Sequence, residues 1–143
     1  MTNLYLGADH NGWKLKEALK PKLAKLGLKV HDLTPAFMPG DDYPWIAEAV
    51  AKKTAKSKDA RGLLVCGSGV GMAIAANRVK GARAVEGYAA HQVKLAREHN
   101  DANILTVGTW HTSDKDAMKL VKTFLSTKTS AVARHRRRVK QLG

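Results

Sequence analysis

Arg61-Gly62-Leu63-Leu64-Val65-Cys66-Gly67-Ser68-Gly69-Val70-Gly71-Met72-Ala73-Ile74-Ala75-Ala76-Asn77 changes character twice. A short apolar run of strand type breaks at three alternate glycines and resumes as small apolar residues suited to a helix. A strand feeding a helix through a glycine loop presents several backbone N–H groups at a helix N-terminus, where an anion is stabilised. Cys66 closes the strand, so its sulfur is expected at the rim of that electropositive pocket. A lone cysteine most often serves as a small buried hydrophobe. The adjacent loop favours a reactive role here, because a helix N-terminus is expected to lower the thiol pKa and favour thiolate.

The same strand–turn–helix pattern recurs on both sides of this stretch. Asn3 to Ala8 reads as a first strand ending in the polar turn Asp9-His10-Asn11-Gly12. Leu15, Leu19, Leu23 and Leu26 give the next helix an apolar face that ends at Gly27. Pro21 falls inside that helix and is expected to remove a hydrogen bond or kink it. Leu28 to Leu33 is a second strand, and Thr34 to Asp42, with its two prolines and a glycine, is a loop. Pro44 opens a helix near its first turn, with Ile46, Ala47, Val50 and Ala51 on the buried side. Beyond the third strand (Gly62 to Cys66) come a strand at Ala82 to Glu86, a helix at Tyr88 to Glu98 and a strand at Ile104 to Val107. Ser113 with Asp116 resembles a capping box that starts a helix whose core face is Ala117, Leu120, Val121 and Phe124. A basic helix or tail, at about 130–143, closes the chain. Alternating strands and helices, with connections too long for hairpins, imply right-handed crossovers and a parallel sheet covered on both faces. Residues 1–143 are therefore expected to form a single α/β domain of three layers around a five-stranded parallel sheet.

Composition narrows the function classes. A chain of 143 residues suffices for one domain with a real core, and no apolar run approaches a membrane span. The N-terminus lacks a signal-peptide pattern, and a single cysteine excludes an internal disulfide framework and fits a reducing, cytoplasmic setting. No compact metal-ligand spacing is present. The formal charge of +13 favours anionic partners, although most of the lysines read as solvated helix faces; Arg134 to Lys140 is the one dense cluster. A nucleic-acid-binding module is the competing class. It lacks an aromatic-interleaved basic platform and leaves the cysteine–glycine loop unexplained. A nicotinamide cofactor fits poorly too. The loop follows the third strand, and Met72 stands where the dinucleotide fingerprint needs glycine or alanine, even with Glu86 placed as a candidate ribose ligand. In an open parallel sheet, ligands bind beyond the carboxyl ends of the strands, which points to Asp9, His10 and the stretch Cys66 to Gly71. His99-Asn100-Asp101 lies before the fifth strand and must reach such a site by another route.

Taken together, Gly7-Ala8-Asp9-His10-Asn11-Gly12, Asp42-Tyr43-Pro44, Leu64 to Met72 with Ala75-Ala76-Asn77, Arg97 to Asn103, and Arg134-His135…Arg138 resemble the type B ribose-5-phosphate isomerases and the related galactose-6-phosphate isomerases. The resemblance implies a Rossmann-like fold and cofactor-free, metal-free aldose–ketose interconversion of a sugar phosphate, ribose 5-phosphate to ribulose 5-phosphate first among the candidates. The same chemistry on a tetrose, another pentose or a hexose phosphate is the alternative. It further implies a homodimer or tetramer whose sites combine both subunits, with the tail reaching the neighbour. Carried over by position, Cys66 is the base that moves the proton through a cis-enediol. The amides of Gly67, Gly69, Val70 and Gly71 stabilise the enediolate, and Ser68, where threonine is common, shuttles the proton between the oxygens. His99 assists ring opening with Asp9 opposite it. His10, Arg134 and Arg138 hold the phosphate, and Tyr43 and Asn100 contact the sugar. Three positions depart from the family pattern: Trp110 where an arginine is frequent, Trp45 after Tyr-Pro, and Thr34 where glycine is common.

Overall fold

The computed structural model describes residues 1–143. Its elements run in chain order β1 (Asn3–Ala8), α1 (Trp13–Ala24), β2 (Lys29–Asp32), α2 (Tyr43–Thr54), β3 (Arg61–Cys66), α3 (Val70–Ala76), β4 (Ala84–Glu86), α4 (Ala90–Asn100), β5 (Ile104–Gly108), α5 (Asp114–Ser126) and α6 (Ala133–Leu142). All five strands pair in parallel in the order β2-β1-β3-β5-β4. The order reverses between β1 and β3, which opens a crevice beyond their carboxyl ends.

Alternation along the strands splits the core in two. Leu4, Leu6, Leu63, Val65, Leu105 and Val107 face α1, α4 and α5, where Leu15, Leu19, Leu23, Val93, Leu120 and Phe124 complete one cluster. Leu64, Cys66 and Ile104 face α2 and α3, against Val50, Ala51, Met72 and Ala76. Cys66 therefore points its sulfur to the α2–α3 side. Burying a side chain such as Phe124 contributes roughly 1.5–3 kcal/mol, so these two layers hold in place the strands whose carboxyl ends carry the site.

The expected architecture is present, with local corrections. The first helix runs through Pro21 but stops at Ala24, so Leu26 lies outside it and is exposed, and Gly27 adopts φ +73° in the following turn. Proline supplies no amide and lysines follow it, so nothing extends the apolar face past Leu23. The fourth helix starts and ends two residues later than expected, with His99 and Asn100 inside it and Asp101 left-handed at its C-cap. Ile46 is only partly buried. The Ser113 hydroxyl accepts the Asp116 amide at 3.1 Å, as a helix N-cap should. The basic tail is a helix with no buried residue, joined to the body by the Ser130 amide donating to Glu98 O. No helix is long and apolar enough to cross a membrane.

Candidate active site

The crevice between β1 and β3 holds a cleft of about 210 Å³ lined by Asp9, His10, Asn11, Asp41, Tyr43, Cys66, Gly67, Ser68, Gly71 and Trp110. Small-molecule sites are usually roughly 300–1,000 Å³, so this cleft is a small one. Asp9 and His10 are delivered by the end of β1. The Asp9 amide donates to Val65 O, and its carboxylate accepts the Gly12 amide at 3.0 Å. Gly12 is demanded by the strand beside it, since a Cβ there would lie 2.1 Å from Val65 O. His10 is fixed by Asp41, whose Oδ1 accepts the His10 amide at 2.7 Å and lies 3.0 Å from Nδ1. The other ring nitrogen is left available. Hydrogen bonding to Asp41 raises the His10 pKa and favours the cation.

Cys66 ends β3 and is 4% exposed. The Gly69 amide donates to its Sγ at 3.1 Å, made possible by φ +84° at Gly69, a conformation that glycine adopts freely. The thiol contradicts the expected lowering. Burial pushes its pKa up and the nearby Asp9 carboxylate adds to the rise, outweighing the amides of Gly69, Met72 and Ser68. A helix of seven residues has few aligned peptide dipoles to set against that desolvation. Burial likewise raises Asp9.

The glycine loop divides its amides between two tasks. Gly69 faces the sulfur, and Val70 donates to the Ser68 hydroxyl at 3.2 Å, so neither is free in the way the sequence reading expected. The Gly67 and Gly71 amides donate to no group in the chain and remain for an oxyanion. Tyr43, in the first turn of α2, packs its ring on Gly71, where a Cβ would lie 2.6 Å from the ring carbon that bears the hydroxyl.

Asp9, His10, Tyr43, Cys66, Gly67, Ser68 and Gly71 thus meet in one place. His99, Asn100, Arg134 and Arg138 do not join them. Asn100 lines a separate groove with Ala84, Ala102 and Leu142 at the start of β4 and β5, whereas Cys66 pairs with Gly108 at the end of β5. At ~3.3 Å per residue, the length of β5 separates the two levels by on the order of 13 Å. His99 stacks on His135 at 4.1 Å and 5°, and Arg134 and Arg138 are exposed. Sequence reasoning missed Asp41 and passed over Asn11. Asp41 sits in a loop without periodicity, and its only signal was an acidic residue placed just before Asp42-Tyr43-Pro44. Of the three departures, only Trp110 lines the cleft. Trp45 borders a groove with Leu33 and Met38, and the Thr34 hydroxyl accepts the Ala8 amide at 2.9 Å, pinning the end of β1.

This geometry can be set beside known proteins. The sequence profile described as Ribose/Galactose Isomerase matches residues 4–142. A Mycoplasma genitalium protein named probable ribose-5-phosphate isomerase B is 36% identical over 142 residues, covering 98% of this chain and 93% of its own length. The structure of ribose-5-phosphate isomerase B from Mycoplasma genitalium with bound ribulose-5-phosphate superposes with a TM-score of 0.93, at 36% identity over 99% of this chain and 93% of that one. A ribose 5-phosphate isomerase from Thermotoga maritima gives 0.92, at 36% identity over 98% and 96%.

Proposed function

The chain belongs to the ribose/galactose isomerase family and is an aldose–ketose isomerase of sugar phosphates, and we propose that it interconverts ribose 5-phosphate and ribulose 5-phosphate with Cys66 as the base. The observation that carries this reading is the placement of a buried thiol at a strand end, beside two unpartnered loop amides, in a cleft that also holds a carboxylate and a histidine hydrogen-bonded to Asp41.

The chemistry follows from those groups. The thiolate of Cys66 removes the proton from C2 of the open-chain aldose as the C1 carbonyl oxygen gains charge. The Gly67 and Gly71 amides stabilise that oxygen in the enediolate. The Ser68 hydroxyl moves a proton between the two oxygens, and the Cys66 thiol returns its proton to C1 to give the ketose. A raised thiol pKa makes the thiolate scarcer but a stronger base, which suits abstraction from a weakly acidic carbon. Asp9, opposite the sugar, assists ring opening, and His10 binds the phosphate as a cation. No metal or cofactor is assigned a role.

His99, Asn100, Arg134 and Arg138 enter this reading from a second copy of the chain. Their position away from the cleft, toward the other end of the strands, and the small volume of the cleft support a homodimer with shared sites. A single unbridged thiol supports a cytoplasmic setting.

The test is turnover of ribose 5-phosphate by the purified protein, alongside Cys66→Ala. Turnover by the unaltered chain and a loss of at least about a thousandfold in kcat in the variant, with KM nearly unchanged, is the expected result. Near-normal activity of Cys66→Ala removes Cys66 as the base. A chain silent on ribose 5-phosphate but active on a tetrose or hexose phosphate keeps the chemistry and changes the substrate.

A further inference from the structure

One wall of the cleft has no part in the chemistry above. Trp110 sits in the turn after β5, and that turn is locked onto the loop carrying the base. The Thr109 amide donates to Cys66 O and the Trp110 amide to Gly67 O, both at 2.9 Å. A Cβ on Gly108 would lie 2.3 Å from Ser68 O, and one on Gly67 would lie 2.5 Å from the Trp110 indole. Both glycines are needed for turn and loop to mesh. The indole is therefore held against Gly67, one residue from the base, yet remains 71% exposed. An aromatic ring contributes to folding mainly through the area it buries, and this one is fixed in place with most of its area left open. Around the cleft stand the polar groups of Asp9, His10, Asn11, Asp41 and Ser68, the ring of Tyr43 and the sulfur of Cys66, and the indole is the larger and more exposed of its two aromatic rings.

We propose that Trp110 is a specificity-determining residue, its open surface packing against the C–H side of the extended sugar chain and setting how many carbons fit between the base and the phosphate. The proposal rests on sugar-phosphate isomerisation at Cys66. A sugar chain is two-sided: its hydroxyls suit the carboxylates, amide and hydroxyl of this cleft, and its C–H groups need an apolar partner. The Trp110 backbone is tied by hydrogen bonds to the loop that carries the sulfur and its indole lies against Gly67, so the wall and the base are set on one frame. Against such a wall, one added carbon changes kcat/KM by about 10–200-fold. The indole brings no charge, which leaves the phosphate to His10 on this chain.

The test compares kcat/KM for ribose 5-phosphate and for a six-carbon aldose 6-phosphate in the unaltered protein, Trp110→Phe, Trp110→Leu and Trp110→Ala. The unaltered protein is expected to prefer the pentose by about tenfold or more. That ratio is expected to fall stepwise from Trp to Phe to Leu to Ala, by at least about tenfold in total. The fall should come from a loss on the pentose that is not matched on the hexose. A role limited to holding the turn lowers both substrates by a common factor and leaves the ratio unchanged, and that result overturns the proposal. If Trp110→Ala fails to fold, as thermal unfolding will show, an unchanged ratio in the Phe and Leu variants overturns it equally. A protein that turns over neither substrate overturns the assignment of ribose 5-phosphate as substrate, on which the proposal rests, an outcome distinct from an unchanged ratio.

Discussion

Burial raises the Cys66 thiol, and Asp9 adds to the rise, so at neutral pH the base is mostly protonated. The active fraction must grow as protons are withdrawn. Accordingly kcat/KM for ribose 5-phosphate is expected to climb with pH through neutrality and to keep climbing past the ordinary thiol range, as a pH–rate profile will show. A plateau already reached near neutrality contradicts Cys66 as the titrating base. His10 acts in the opposite sense. Its pKa is raised chiefly by the Asp41 hydrogen bond, so the cation persists to higher pH and is lost as pH rises through that value. Asp41→Asn removes the partner and lowers the His10 pKa. KM should then rise by about threefold to tenfold, with the rise setting in at lower pH than in the unaltered protein, while kcat at saturation changes little. Equal KM values across pH take His10 out of phosphate binding.

Among the elements, the end of β1 depends on a charged network beneath it. Lys16 on α1 has a fully buried side chain whose Nζ lies 2.9 Å from Asp32 Oδ2 and 3.0 Å from Glu17 Oε1, and it also donates to Thr34 O. The Asp32 carboxylate accepts the Thr34 amide, and the Thr34 hydroxyl accepts the Ala8 amide, one residue before Asp9. Burial alone would raise the Asp32 pKa, but Lys20, Lys16 and the Thr34 amide outweigh it and hold the carboxyl low. Removing one partner of a buried ion pair costs about 3–5 kcal/mol, and here the lower end applies, because Lys20 remains 2.8 Å from Asp32. Lys16→Met should therefore lower the thermal midpoint by roughly 10 °C, whereas Lys14→Met, on the exposed side of the same helix, should leave it within about 2 °C. Equal midpoints for the two variants remove Lys16 as a structural tie. The elements themselves were legible because apolar period and glycine punctuation survive in one sequence: β1 matches residue for residue, and the capping serine of α5 was recognised. Lys16 was not legible. A lysine opposite a leucine stripe reads as solvated surface, and only the approach of β2 turns it inward. The thiol pKa was misread for a similar reason, since a loop motif announces its amides but not the desolvation around them.

At the scale of the molecule, the chain separates the residues that the proposed reaction would use. Cys66 and Asp9 sit at the carboxyl ends of the strands, whereas Asn100 lies at the level where β4 and β5 begin, and His99, Arg134 and Arg138 sit with it on α4 and α6. Sequence order foretold this, because His99 precedes β5 while the cleft lies beyond its end. What it did not show was how α6 is held. It is held through the stack of His135 on His99, and burial, then the adjacent His99, Arg134 and Arg138, lowers the His135 pKa and favours its neutral form there. A second copy related by a twofold axis would receive those arginines at its own Cys66 cleft and return the same contribution, as an isologous pair does. The charge of +13 opposes such pairing, and a substrate phosphate bound between the copies offsets part of that repulsion. Cys66→Ala and the double variant Arg134→Ala/Arg138→Ala should each be nearly inactive alone at low substrate. Unfolded together and refolded as a mixture, half of the dimers pair one of each, and each such dimer holds one site with both an intact cysteine and intact arginines. Activity should return to about a quarter of the unaltered level if subunits pair at random. Recovery confined to the sum of the separate variants means that each site is built from one chain, and α6 then has no place in it.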